Sequence, residues 1–301
     1  EYAILEPGSQ ALVMAIDRYL TVLLQRAQTF CFSSSVTGFI PIPFSYAKGE
    51  LQWDPPLPTL NFAESALKYV LNYLEQCHIA FAPFTIEVQS ELELESKLGF
   101  GSSAALTVGL VAGLLLVHGF ELNDETKSLI FKLSVLAHTH VQKCGSGADI
   151  AACIFGGVTV YQRYAPFNTQ DLKSSVEKDW QQLKVNSLPW PSSWLWAVGW
   201  TGTSAQTVSF IKHFQQWKIQ DQQNYQQFIH HSHHITESAI TALQKQQRNV
   251  FYSAVEQARR LLLQLEQCLH IPLETPQLKI LIELAKTYRG VGKFSGAGGG
   301  D

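Results

Sequence analysis

The apolar positions from Leu12 to Leu24 are dense and rich in β-branched residues, and Phe84-Thr-Ile-Glu-Val-Gln89 alternates apolar with polar, so both stretches predict strands. Between them Leu67, Val70, Leu71 and Leu74 recur at i, i+3, i+4, i+7, which predicts an amphipathic helix from about Phe62 to Cys77. From Ser103 to His118 the chain is apolar on every side and stops at Gly119, the pattern of a buried helix. Asn123 opens the next helix, with Asp124 and Glu125 in its first turn and Ile130, Leu133, Leu136, Ala137 and Val141 as its inner stripe. Gly156 to Tyr161 returns to strand. Residues 165 to 193 show no clear period, and a domain boundary there divides the chain into 1–165 and 166–301. Beyond it, Trp194 to Trp200 reads as a buried strand. Helices follow over 207–217, 222–244, 250–268 and 276–288, and the chain closes on the glycine-rich run Gly290 to Asp301.

Composition narrows the class. Hydrophobic residues make up 46% and charged residues 16%, a globular balance, and a formal charge of −3 offers no broad cationic field to nucleic acid or an anionic membrane. The 5 cysteines are odd in number, widely spaced and set among apolar residues, so reduced core thiols and a cytoplasmic setting are expected. The apolar run Ala104 to Val117 contains Gly109-x-x-x-Gly113 but falls short of the ~20 residues that span a bilayer. Glu1 in place of a methionine, and the glycine-rich end, suggest a sequence truncated at both ends.

Three stretches carry candidate chemistry. In Lys97-Leu-Gly-Phe-Gly-Ser-Ser-Ala-Ala105 a glycine–serine turn runs straight into the apolar helix, so small residues allow close backbone approach to phosphate oxygens while the helix dipole favours negative charge. Ser102 or Ser103 can give a hydroxyl to phosphate or Mg²⁺, and Lys97 a point charge. The bland alternative is a helix-start turn. Gly99 to Ala104 also fits Gly-x-Gly-x-x-Gly/Ala, but a dinucleotide fold needs a strand before its acidic residue, and here Gly119 and Asn123 separate two helices. The second stretch is Gly145-Ser-Gly-Ala-Asp149, where Asp149 is either a helix-start cap or a carboxylate that orients or deprotonates an acceptor. The third, Phe294-Ser-Gly-Ala-Gly-Gly-Gly-Asp301, is either a flexible tail or a second phosphate-facing loop. His230, His231, His233 and His234 have spacings that suit zinc, without a Cys or carboxylate to complete a set, and read as a polar helix face. Arg18, Lys48, Lys143 and Lys293 are isolated cations, exposed by default, from which an anionic acceptor would recruit partners.

Taken in order, these stretches and the opening Glu1-Tyr-Ala-Ile-Leu-Glu-Pro-Gly8 resemble the motifs of the galactokinase, homoserine kinase, mevalonate kinase and phosphomevalonate kinase (GHMP) superfamily over nearly the whole chain. The opening, with Gly199-Trp-Thr-Gly-Thr-Ser-Ala-Gln-Thr207, tilts the likeness toward the bacterial-type phosphomevalonate kinase branch. The resemblance implies a two-domain α+β fold, an N-terminal domain like domain 2 of ribosomal protein S5 and a ferredoxin-like C-terminal domain. It implies an ATP- and Mg²⁺-dependent phosphorylation of phosphomevalonate by a monomer or homodimer, with no nucleic-acid or membrane partner. On the matching positions it implies nucleotide contacts at Gly99, Gly101, Ser102, Ser103, Ala104, Gly296, Gly298 and Gly299, with Ser103 also on the metal. Asp149 and Lys97 would be catalytic, and Glu1, Tyr2, Ser146, Gly147, Thr201 and Ser204 would face the acceptor. Near the position where mevalonate kinases carry a metal-binding Glu, this chain has His138 and Gln142. A hydroxyl-phosphorylating relative such as mevalonate kinase, a decarboxylase of the same fold, and a non-catalytic nucleotide sensor are the rival readings.

Overall fold

The computed structural model describes residues 1–92, 99–167, 171–202 and 207–300, without the side chains of Pro58 and Thr207. Its strands are β1 (Gln10–Met14), β2 (Leu20–Arg26), β3 (Cys31–Ser34), β4 (Ile42–Ala47), β5 (Glu50–Trp53), β6 (Phe84–Ser90), β7 (Val158–Gln162) and β8 (Lys184–Leu188). Its helices are α1 (Asn61–Gln76), α2 (Ser102–Val117), α3 (Asp124–Gln142), α4 (Ala148–Phe155), α5 (Leu172–Glu177), α6 (Thr207–Gln220), α7 (Gln222–Gln244), α8 (Arg248–Leu269) and α9 (Pro276–Thr287). This mixture of helix and sheet is the expected α+β class.

The single strand expected from Leu12 to Leu24 is two strands in two sheets. Asp17 and Arg18 break the apolar run, after which β1 pairs antiparallel with β7 while β2 pairs antiparallel with β6. One sheet has the order β1-β7-β8, the other β2-β6-β3-β4-β5 with β3 and β6 parallel. Both α5 and β8 lie where the sequence showed no period. Their burial is set by neighbours distant in sequence, and β8 finds its ladder on β7 from Val158↔Leu188 to Gln162↔Lys184.

Helix α2 is the spine of the first core. Ala104, Leu110, Val111, Leu114 and Leu115 are fully buried, among the inward residues of α1, α3 and β6. Gly109 and Gly113 let α2 lie directly on β2, because a Cβ would stand 2.8 Å from Val22 Cγ2 at the first and 2.6 Å from Leu24 Cδ1 at the second. The Gly-x-x-x-Gly spacing thus serves helix-on-sheet contact, and no helix among the described residues is long and apolar enough to cross a membrane. Val22 is β-branched, and its restricted χ1 gives it little room to move aside. Gly109→Val is therefore expected to cost about 1–3 kcal/mol of stability by overpacking, read as a lowered denaturation midpoint. An unchanged midpoint would show that α2 is not seated on β2.

Among the described residues after Leu188 there is helix but no strand. Trp194 to Trp200 does not form the expected strand: among the described residues no strand pairs with it to complete a ladder, and Leu195 and Val198 are exposed. Trp194 is instead buried against Trp190 and Phe251, with ring centroids 5.6 and 5.4 Å away. The second core gathers Phe214, Trp217, Tyr225, Phe228, Leu262 and Leu265 from α6, α7 and α8. It also takes in Tyr2 and Ala3, so the start of the chain is packed against the later helices.

Candidate active site

The glycine–serine turn is where α2 begins. Gly99 and Gly101 have φ of 80° and 77°, values natural for glycine, and among the described residues no side chain caps the helix at Gly101. The first amides of α2 thus keep the unsatisfied donors that suit an anion. Ser102 and Ser103 are half-buried, whereas Ala104 is fully buried, backbone included. Lys97 lies outside the described residues.

Fold brings Asp149 to this turn. Gly147, with φ 83°, opens α4, and Asp149 in its first turn is exposed with Oδ1 accepting the Ile150 amide at 2.9 Å. A Cβ built on Gly101 would lie 3.8 Å from Asp149 Cβ, so the loop backbone and the carboxylate are adjacent. On the other side, Ser103 Oγ is 3.1 Å from His138 Nε2 on α3. Burial pulls the His138 pKa below its ordinary value, against the opposing attraction of Asp149.

The stretch before Asp149 is braced from β7. Tyr161 donates its hydroxyl to the Ser146 carbonyl at 2.6 Å, and Ser146 Oγ accepts from the Ala148 amide at 3.2 Å. Gly147 is buried under Tyr161, Val135 and Phe131. Arg163, just past β7, donates to the Gly145 carbonyl at 3.3 Å and to the Leu5 carbonyl, which joins the second motif to the opening one. Nothing in the sequence marks Arg163, a lone cation after a strand, as this bridge.

The glycine-rich end is a folded loop and not a flexible tail. Phe294 is buried, and the Gly299 amide donates to the Leu273 carbonyl at 2.7 Å. Leu273 is itself fixed because Glu266 Oε2 accepts the amides of Leu273 and Glu274 at 2.8 Å each, while Arg259 clamps Glu274 through two 2.7 Å bonds. Gly296, Gly298 and Gly299 all have positive φ. Thr201 donates its hydroxyl to the Gly300 carbonyl. Ser204 lies outside the described residues.

Tyr2 is a structural link between the first motif and this loop. It is buried and donates its hydroxyl to the Ala297 carbonyl at 2.7 Å, and burial, then Glu1, hold its pKa well above the ordinary range. Glu1 pairs with Lys293, whose ammonium also reaches the Phe294 carbonyl at 2.7 Å. Glu6 takes hydrogen bonds from Lys218, at 2.6 Å, and from Tyr225. The other sequence-nominated cations stand apart: Lys48 is exposed in the turn between β4 and β5, Lys143 is exposed at the end of α3, and Arg18 pairs with Asp17. Among the histidines, His233 bonds Ser9 Oγ at 2.7 Å and His230 faces His234 at 3.1 Å. No three metal-ligating side chains gather among the described residues.

Known proteins share this fold. Residues 61–157 match the GHMP kinases N terminal domain. A phosphomevalonate kinase from Streptomyces sp. (strain CL190) is 30% identical over 320 residues, covering 100% of this chain and 84% of the relative. The chain belongs to the GHMP kinase family. A Listeria innocua protein of known structure superposes on this GHMP kinase with a TM-score of 0.91 at 30% identity, over 100% of this chain and 85% of that one. The fold is also that of Streptococcus pneumoniae phosphomevalonate kinase solved with phosphomevalonate and AMPPNP, with a TM-score of 0.78, 24% identity, and coverage of 100% and 86%.

Proposed function

We propose that the protein transfers the γ-phosphoryl group of MgATP to the phosphate of 5-phosphomevalonate, giving 5-diphosphomevalonate and ADP, a step in the mevalonate route to isoprenoids. The reading is carried by its likeness to the Streptomyces phosphomevalonate kinase across the whole chain, at 30% identity. Gly99 to Ala104 would receive the nucleotide's phosphates on the free amides of α2, with Lys97 adding charge, and Gly296, Gly298 and Gly299 would close over them. Ser146, Thr201 and Ser204 would face the acceptor, whereas Gly147, buried under Tyr161, Val135 and Phe131, and Glu1 and Tyr2 would serve it by holding the loops in register.

Phosphoryl transfer asks mainly for positioning and charge stabilisation. An acceptor phosphate is already largely ionised near neutral pH, its second pKa being about 6, so it needs little deprotonation. Asp149 then matters less as a base than as a group that orients the acceptor or pairs with a lysine beside the loop. The donors present suit Mg²⁺, which takes few protein oxygens and completes its shell with phosphates and water. Ser103 would supply a hydroxyl ligand. When bound, the ion neutralises charge on the phosphates.

The test is ADP release from MgATP with 5-phosphomevalonate, mevalonate, homoserine and galactose in turn. Preference for phosphomevalonate by at least about tenfold in kcat/KM is expected. Preference for mevalonate would replace the acceptor with a hydroxyl compound, and silence with all four would favour a nucleotide sensor.

A further inference from the structure

His138 sits where four helices meet. It is 4% exposed on α3, its ring lies 4.9 Å from that of Phe62 on α1, its Nε2 is 3.1 Å from Ser103 Oγ on α2, and the Asp149 carboxylate on α4 is close enough to act on its charge. A buried histidine in a core is satisfied by any neighbouring acceptor or donor. This one is bonded to a side chain on the first turn of the candidate phosphate loop, beside the carboxylate that the same loop approaches.

A serine hydroxyl is a free rotor among staggered positions unless something fixes it. Thr107 Oγ1 bonds the Ser103 carbonyl at 2.8 Å and leaves that hydroxyl alone. We propose that His138 is a positioning residue for nucleotide binding: its Nε2–H donates to Ser103 Oγ and holds the hydroxyl in one direction, so that the serine O–H is left to donate to a phosphate oxygen of the nucleotide. Phe62 stops the imidazole from tilting away. The inference rests on the reading of Gly99 to Ala104 as a nucleotide loop and is independent of the acceptor.

The experiment is a double-mutant cycle on nucleotide affinity, measured by calorimetry with MgADP and without acceptor, alongside KM and kcat for MgATP. His138→Phe is expected to weaken affinity about 10–100-fold, the usual size of an effect exerted through a neighbouring ligand. His138→Gln, whose amide reaches the place of Nε2, should recover the parental value within about threefold. His138→Asn, whose amide stands nearer Nδ1, should not. In a Ser103→Ala background the Phe substitution should add less than about twofold, because the hydroxyl it acts through is gone. Parental affinity in His138→Phe, equal affinities in the Gln and Asn variants, or an undiminished effect without the hydroxyl would each overturn the proposal. Should the Phe variant fail to fold, the Gln and Asn pair decides. Lack of turnover with phosphomevalonate would sink the acceptor assignment and leave this cycle readable.

Discussion

Asp149→Asn is expected to lower kcat with 5-phosphomevalonate by about 10²-fold or more while leaving the affinity for MgADP within about twofold of the parent. The substitution is nearly isosteric. The Asn carbonyl oxygen can still accept the Ile150 amide, as Asp149 Oδ1 does at 2.9 Å, so the first turn of α4 keeps its local bond. Gly101, whose added Cβ would lie 3.8 Å from Asp149 Cβ, is also undisturbed, and the loop should hold nucleotide as before. What disappears is one negative charge at the point where loop and acceptor would meet. A loss confined to kcat identifies an interaction made in the transition state; a loss shared equally with MgADP affinity would instead make Asp149 part of the nucleotide site. A change below about threefold in kcat would remove it from the mechanism.

Gly298→Ala should do comparable damage by a different route. The residue has φ +77°, which costs an L-residue about 1–2 kcal/mol, and its Cβ would stand 2.6 Å from the Leu273 carbonyl oxygen and 2.9 Å from Phe294 Cε2. That carbonyl is backbone and is the acceptor that fastens the Gly299 amide at 2.7 Å, so no rotamer change can relieve the contact. The loop must lift. The expected cost is about 2–4 kcal/mol in stability together with a rise of at least about tenfold in KM for MgATP. Gly296→Ala supplies the comparison, since φ is +60° there but nothing lies within 4 Å of the added carbon, leaving only the backbone term. Equal behaviour of the two variants would mean that the loop is not held by Leu273.

The elements whose period is set by one continuous face were readable in the chain itself. Helices α1, α2 and α3 fall within a residue or two of the positions expected from Leu67 to Leu74, from Ser103 onward, and from the Asn123 cap, whose Oδ1 accepts the Thr126 amide at 2.9 Å. The glycine motifs were readable because each needs backbone conformations that few other residues adopt, and Gly99, Gly101, Gly147 and Gly298 all have positive φ. The order of those motifs also carried the family resemblance. Strands fared worse. The apolar run from Leu12 to Leu24 conceals a change of sheet, and Trp194 to Trp200 has strand-like composition but no paired strand among the described residues. Composition states that a residue prefers to be buried; it does not name the neighbour that buries it.

The sequence by itself determined the phosphate-loop candidate, the carboxylate at Asp149 and the buried helix behind them, because these depend on local backbone freedom, a helix start and an unbroken apolar run. Tertiary structure decided the rest: that Gly101 abuts Asp149, that His138 rather than a carboxylate holds Ser103, that Arg163 ties Gly145 to Leu5, and that Tyr2 secures Ala297 from 295 positions away. Each of these contacts joins residues brought together only by closure of a long loop, and loop closure follows from the packing of whole elements.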